Sequence, residues 1–254
     1  MPALNALTPR TRRRHAHHTK PPILVSLQRV TLRDDFGHLA FQNLSFRIRA
    51  GERWQVVADE QRTANGLLHC IAGLKQPAHG AVVVRSHVSW PLGRLTGLSA
   101  LLSCAENVRF IAEVYGETGN VEHELDLIRQ LCEFEDKFWE RPFKQLPNPV
   151  KQRFKLALSL AFDFDLYLLD PTALAPLRRQ GVWNEAWQAI LEQRLRERAV
   201  ISIGGDRFGI SDRCTHSLVF GQGQLLVKGR TMDCEEQIRG VLQLRAHRRK
   251  RNQS

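Results

Sequence analysis

The chain has 254 residues, 43% of them hydrophobic and 25% charged, a composition that sustains a sizeable buried core. No stretch approaches the roughly 20 consecutive apolar residues of a membrane-spanning helix, and the Arg- and His-rich start has no apolar segment behind it, so no secretory signal is expected. The formal net charge of +11 sits in two places: Arg10, Arg12, Arg13, Arg14 and Lys20 before any acid, and Arg245, Arg248, Arg249, Lys250 and Arg251 at the other end. Each group contributes five cations and leaves +1 for everything between, so the basicity describes two tails and not the folded body. Three readings of the tails stand: solvated disordered ends, adhesion to an anionic membrane surface, and contact with nucleic acid. The absence of aromatic residues to stack bases counts against the last. Five cysteines, odd in number and without a CxxC pair, fit buried thiols better than a disulfide framework or a zinc site.

Taken in order, ILVSLQRVTL (23–32) reads as a strand after Pro21-Pro22, and AFQNLSFRI (40–48) alternates as a second. The turn RAGE leads into RWQVV (53–57), a short apolar strand, and GLLHCIAGL (66–74) is helical in period. QPAHG (76–80) is a turn and AVVVRSHVSW (81–90) is strand-like. Residues 101–139 read as mostly helical, PFKQLPNP (142–149) as a three-proline loop, and VKQRFKLALSLAF (150–162) as an amphipathic helix. DLYLLD (165–170) is a buried-type strand ending in an acid, NEAWQAILEQRLRERA (184–199) a helix, VISIGG (200–205) a strand, and SLVFGQGQLLVKG (217–229) a hairpin through Gln222-Gly223. Strands alternating with helices predict an α/β fold with a largely parallel sheet.

The order of these pieces resembles the nucleotide-binding subunit of ABC transporters, and within them the group that exports capsular and other surface polysaccharides. FQNLSFRIRAGERWQVV is similar to the strand pair before that family's P-loop, and LLHCIAGLKQPAHGAVVV to the helix and strand after it. VSWPLG (88–93) with ENVRFIAEVYG (106–116) carries the group resemblance, and RFKLALSLAFDFDLYLLD (153–170) resembles the signature helix running into Walker B. The resemblance implies a P-loop NTPase-like ABC ATPase domain over 23–230, a mixed-sheet core with a helical subdomain at about 95–160. A disordered basic arm (1–22) precedes it and a C-terminal helix or basic tail (231–254) follows.

A P-loop, GxxxxGK[ST], uses glycines to turn backbone N–H groups onto phosphates, a lysine to reach the β/γ-phosphates and a hydroxyl to ligate magnesium. Laid on that pattern, Ala58 and Thr63 take the glycine positions, Ala64 the lysine and Asn65 the hydroxyl, with Asp59 and Glu60 adding negative charge. The nucleotide-binding candidates are therefore Arg62, Thr63, Asn65 and Gly66, holding ATP weakly at a helix N-terminus; a plain strand-to-helix turn without ligand is the alternative. The resemblance puts the signature at LPNPV (146–150), the end of Walker B at Asp170, the catalytic glutamate at Pro171, the switch histidine at Gly205 and the Q-loop glutamine near Ser99. The adenine-stacking aromatic falls at Asp34, with Phe36 close by. Asp170 is the one magnesium-ligand candidate, and serves equally as a cap.

In the family, each ATP lies between one subunit's P-loop and the other's signature. A chain altered in both leaves no complete site in any dimer. The expectation is a catalytically degenerate accessory, regulatory or scaffold subunit for polysaccharide export, without catalytic residues. It would be peripheral on the cytoplasmic face of the bacterial inner membrane. Its implied partners are an export permease docked near 88–116, and an intact ATPase paralogue or a second copy. A genuine ATP-binding subunit with a divergent site, and a binding module using its basic tails, are the alternatives.

Overall fold

The computed structural model describes residues 20–92, 97–115, 121–171, 185–204 and 213–251; expectations that rest on 1–19, Gly93, Gly116, Asn184 or Gly205 fall outside them. Among the described residues the strands are β1 (Ile23–Arg33), β2 (Leu39–Arg49), β3 (Arg53–Ala58), β4 (His79–Val84), β5 (Val88–Leu92), β6 (Leu166–Leu169), β7 (Ala199–Ile203), β8 (His216–Gly221) and β9 (Gln224–Arg230). The helices are α1 (Gln61–Ile71), α2 (Cys104–Tyr115), α3 (Val121–Cys132), α4 (Asn148–Ala161), α5 (Glu185–Arg194) and α6 (Glu235–Arg251). The chain divides into two compact units, one of Thr19–Pro91, Asp165–Pro171 and Glu197–Ser254, the other containing Leu92–Phe164 and Thr172–Arg196.

The first unit holds two sheets. β1 pairs antiparallel with β2 and β4 in a three-stranded sheet, and a six-stranded sheet runs β5-β6-β7-β3-β8-β9. Within the larger sheet β6, β7, β3 and β8 are parallel, and β9 returns antiparallel on β8. This is the mixed α/β architecture expected. The parallel strands LYLL and AVISI are buried at every position, as strands covered on both faces must be. One core joins both sheets and α1 through Phe41, Ile48, Val56, Leu67, Leu168 and Phe220, each at most 1% exposed. A fully buried side chain of this kind contributes about 1.5–3 kcal/mol. The other core patch sets α6 against the large sheet, with Val57, Val219, Cys234 and Val241 buried together.

The hairpin of β8 and β9 closes through Gln222 (φ 52) and Gly223 (φ 75). Two central residues at positive φ make the two-residue turn whose twist matches that of the strands. The expected single strand 81–90 is instead two strands in different sheets. Between them the Arg85 N–H donates to the Leu24 carbonyl at 2.8 Å, while the His87 N–H turns to the Asp165 carboxylate at 3.1 Å. The chain thus leaves the β1 ladder for the neighbourhood of β6.

The second unit is helical. Ser103 and Glu106 form a reciprocal cap on α2: the Ser103 N–H donates to Glu106 Oε2 at 2.7 Å, and the Glu106 N–H to Ser103 Oγ at 3.2 Å. Asn107, fully buried, donates to the carbonyls of Ser99, Leu102 and Ser103 and accepts from the Ser99 N–H at 2.8 Å. Trp139, Phe143 and Phe154 pack edge-on or tilted at 5.7–6.1 Å between ring centres. Arg194, 6% exposed, donates to the last α4 carbonyls, Leu160 at 2.9 Å and Ala161 at 2.8 Å. The proline-rich stretch is not loop throughout. Pro147 is the N-cap of α4 and Pro149 lies in its first turn, where a missing N–H leaves no helical bond unmade. Phe110 is 48% exposed. The buried face of α2 carries Cys104, Val108, Ile111 and Ala112, and Phe110 lies off it.

Candidate functional site

In doubly wound α/β sheets, ligands bind beyond the carboxyl ends of the parallel strands. Here Ala58 ends β3, Gly204 follows β7 and Asp170 follows β6, so the expected P-loop and Walker B positions share that edge with one strand between them. The connection from β3 to α1 is only Asp59 and Glu60, because α1 begins at Gln61, five residues before the expected Gly66. The Asp59 N–H is taken by the Phe220 carbonyl at 3.3 Å and the Thr63 N–H by the Glu60 carbonyl at 3.2 Å. A phosphate cradle needs a run of backbone N–H groups turned inward; at these two positions the donors serve the sheet and the helix.

Each nucleotide-binding candidate is engaged within the chain. Arg62 pairs with Glu60 at 2.5 Å and with Asp34 at 3.7 Å. Thr63, fully buried, donates its hydroxyl to the Ala40 carbonyl at 2.7 Å, tying α1 to β2. Asn65 accepts from the Gln61 side chain at 3.1 Å, one turn back on the same helix. Gly66 lies against β1: an added Cβ would stand 2.9 Å from Leu32 Cδ2, so close helix–strand packing accounts for this glycine.

Asp34 and Phe36 share a loop whose backbone Asp34 organises, accepting from the His38 N–H at 2.8 Å and the Phe36 N–H at 3.0 Å. Burial alone would raise the Asp34 carboxyl; those bonds and the His38 ring outweigh it, and the net shift is downward. Phe36 is 86% exposed. Ser99 lies in the helical unit, its backbone held by Asn107. Asp170 is 1% exposed and Pro171 is buried. All five cysteines are buried, and none is in a disulfide. Burial pushes the Cys70 thiol up to about 11 and, with Glu140, that of Cys104 to about 12, which removes both as nucleophiles.

The residues that complete the site were not among the candidates. Asp59, its side chain 2% exposed, accepts from the Gln222 N–H at 3.2 Å and faces Arg248 of α6 at 3.3 Å; Arg248 also meets Glu60 at 2.6 Å. The C-terminal cations, read from sequence as a solvated or surface-seeking tail, continue α6 through Arg251. A signal for the helix itself was present: Ile238, Val241 and Leu242 have helical spacing just before Arg245.

No family model matches the chain. The chain is similar to the polysialic acid transport ATP-binding protein KpsT of Escherichia coli, at 24% identity over 190 residues, 74% of this chain and 83% of KpsT. It is 30% identical over 163 residues to the cytochrome c biogenesis ATP-binding export protein CcmA of Xanthomonas oryzae, covering 60% of this chain and 73% of that one. The chain belongs to the ABC transporter ATP-binding protein family. The fold agrees: the dimeric bacterial ABC transporter cassette MJ0796 superposes with a TM-score of 0.58 at 17% identity, over 82% of this chain and 98% of that one. Within this ABC chain, the residues of the β3–α1 turn and the start of α1 make internal hydrogen bonds and ion pairs.

Proposed function

We propose that the chain is a non-hydrolysing ABC subunit, an accessory, regulatory or scaffold component in the export of capsular or other surface polysaccharide. The observation that carries this reading is the two-residue turn after β3: two acids, no lysine, and Arg62 held by Glu60 and Asp34. Phosphoryl transfer depends on positioning and on cancelling charge at the transferred group. Here Asp59 and Glu60 put negative charge where a polyphosphate would need positive charge. Pro171 at the catalytic glutamate position and prolines at 147 and 149 in the signature stretch supply neither a carboxylate nor N–H donors. If ATP with magnesium binds at all, Asp170 is the chain's candidate ligand for the metal.

Polysaccharide as the cargo class rests on KpsT, a polysialic acid transport protein. The partners in this reading are a membrane permease and a second ABC chain, either an intact paralogue or another copy, as in the dimeric cassette. Leu101, Phe110 and Val114, 69%, 48% and 57% exposed, offer apolar surface on the helical unit for the permease. Among the described residues no helix is long and apolar enough to cross a membrane, and a place on the inner face of the bacterial inner membrane would come through the permease. The test is calorimetric titration of the full chain with Mg-ATP, beside Asp170→Ala. The expected result is no heat of binding up to about millimolar nucleotide. Binding at about micromolar Mg-ATP that weakens in Asp170→Ala would overturn the reading in favour of a genuine ATP-binding subunit.

A further inference from the structure

The turn after β3 carries two carboxylates; Arg62 pairs with Glu60, and the C-terminal helix brings a second cation to both acids. Arg248 Nη1 donates to Glu60 Oε1 at 2.6 Å and stands 3.3 Å from Asp59 Oδ2. Three residues earlier, Arg245 Nη2 donates to Gln61 Oε1. Positions three and four apart share a helix face. One face of α6 therefore runs from Ile238, Val241 and Leu242, packed with Val57 and Val219, to Arg245 and Arg248 over residues 59–61. The apolar part sets the helix on the sheet and the cationic part ends on the turn. Asp59 is nearly fully buried, and a carboxylate taken out of water requires hydrogen bonds and a paired charge. The Gln222 N–H supplies the first and Arg248 the second.

We propose that the turn is a guanidinium site, and that its ligand is Arg248 of the chain's own C-terminal helix. Ion pairing to Asp59 and Glu60 locks the last turns of α6 onto the strand-to-helix turn. A sequence GxxxxGK[ST] offers N–H groups and a lysine to an anion at this place in the fold. This sequence offers two carboxylates to a cation, so the polarity of the site is reversed. A nucleotide phosphate would meet both acids and would have to displace the guanidinium. The clasp goes beyond the transport reading and is tested without nucleotide, so failure of either leaves the other standing.

The test is hydrogen–deuterium exchange of the full chain, read at the backbone amides of 243–251, in a cycle of wild type, Arg248→Gln, Glu60→Gln and the double variant. Arg248 is 46% exposed along its side chain, and a shorter neutral glutamine there leaves the apolar anchor of Ile238, Val241 and Leu242 in place. A partly exposed, charge-paired contact predicts exchange in these amides about two- to fivefold faster in Arg248→Gln. In the Glu60→Gln background the same change should add less, because one acceptor is already neutral. Raising salt from about 0.05 to about 1 M should speed exchange in the wild type more than in Arg248→Gln. Unchanged exchange in Arg248→Gln, or the same acceleration in both backgrounds, would overturn the clasp. Should the double variant fail to fold, the salt comparison between wild type and Arg248→Gln decides alone.

Discussion

At the residue scale, the side chains around the β3–α1 turn are engaged by partners within the chain. Thr63, which the sequence reading laid on a glycine position, donates its hydroxyl to the Ala40 carbonyl at 2.7 Å with no exposure to water. Thr63→Val keeps the volume and removes the donor, leaving a buried carbonyl short of a partner, so it should lower stability by about 1–3 kcal/mol in urea denaturation. An unchanged midpoint would mean that another donor reaches that carbonyl. Asn107 has a similar role in the helical unit, with its amide shared among three carbonyls and the Ser99 N–H. Asn107→Ala strips several partners at once and should cost about 1–3 kcal/mol or more by the same measurement.

At the scale of elements, α2 is set by its first turn. The Ser103–Glu106 pair satisfies two N–H groups that a helix start leaves open. Ser103→Ala should cost about 1 kcal/mol in chemical denaturation. The hydrogen bonds from the Ser103 backbone and hydroxyl, first in importance, hold the Glu106 carboxyl below its usual range, against a smaller opposing effect of burial and with help from Arg109. A carboxyl whose folded value is depressed adds stability that is present above the unfolded value and lost as pH falls through the folded one. The stability difference between wild type and Glu106→Gln should therefore be full above about pH 5 and should fade as the pH drops through and below about 4. A difference that grows toward acid would contradict the cap. At the other end of α4, Arg194 closes the Leu160 and Ala161 carbonyls with a planar group that lysine cannot reproduce. Arg194→Lys should cost about 1–3 kcal/mol of stability through those unmet carbonyls.

At the scale of the whole molecule, binding and stability are linked. A ligand present at about 100 times its dissociation constant adds about 2.7 kcal/mol to the native state. For a chain of this size that raises the melting temperature by several degrees. The two-residue turn, the inward Thr63 and the paired Arg62 lead to the opposite expectation. The melting temperature should be the same with and without about millimolar Mg-ATP, as read by scanning calorimetry. A clear rise would show that nucleotide finds a site that the β3–α1 turn does not provide.

Much of this molecule was legible in one dimension. Apolar runs such as LYLL and AVISI, the alternation in β2 and the Gln222-Gly223 turn are local signals, and local signals survive into the fold because each is satisfied by its own neighbours. The order of those elements also carried the family. Partnerships between distant positions could not be read this way. A sequence shows that Asp59 and Glu60 are acids and that Arg248 is a cation, but nothing across the 188-position separation of Glu60 and Arg248 says that they meet. That meeting depends on α6 packing over β3 and β8. The same holds for Thr63, which looks like a damaged phosphate loop until the Ala40 carbonyl is found above it. It holds too for the break at Arg85–His87, where acceptors 61 and 78 residues distant divide one apolar run between two sheets. Sequence by itself determined most of the elements and the family, because these depend on residue type and spacing. Tertiary structure decided what the remaining polar groups do, because a hydrogen bond or ion pair is fixed by which partner lies within about 3 Å and not by which residues are adjacent in the chain.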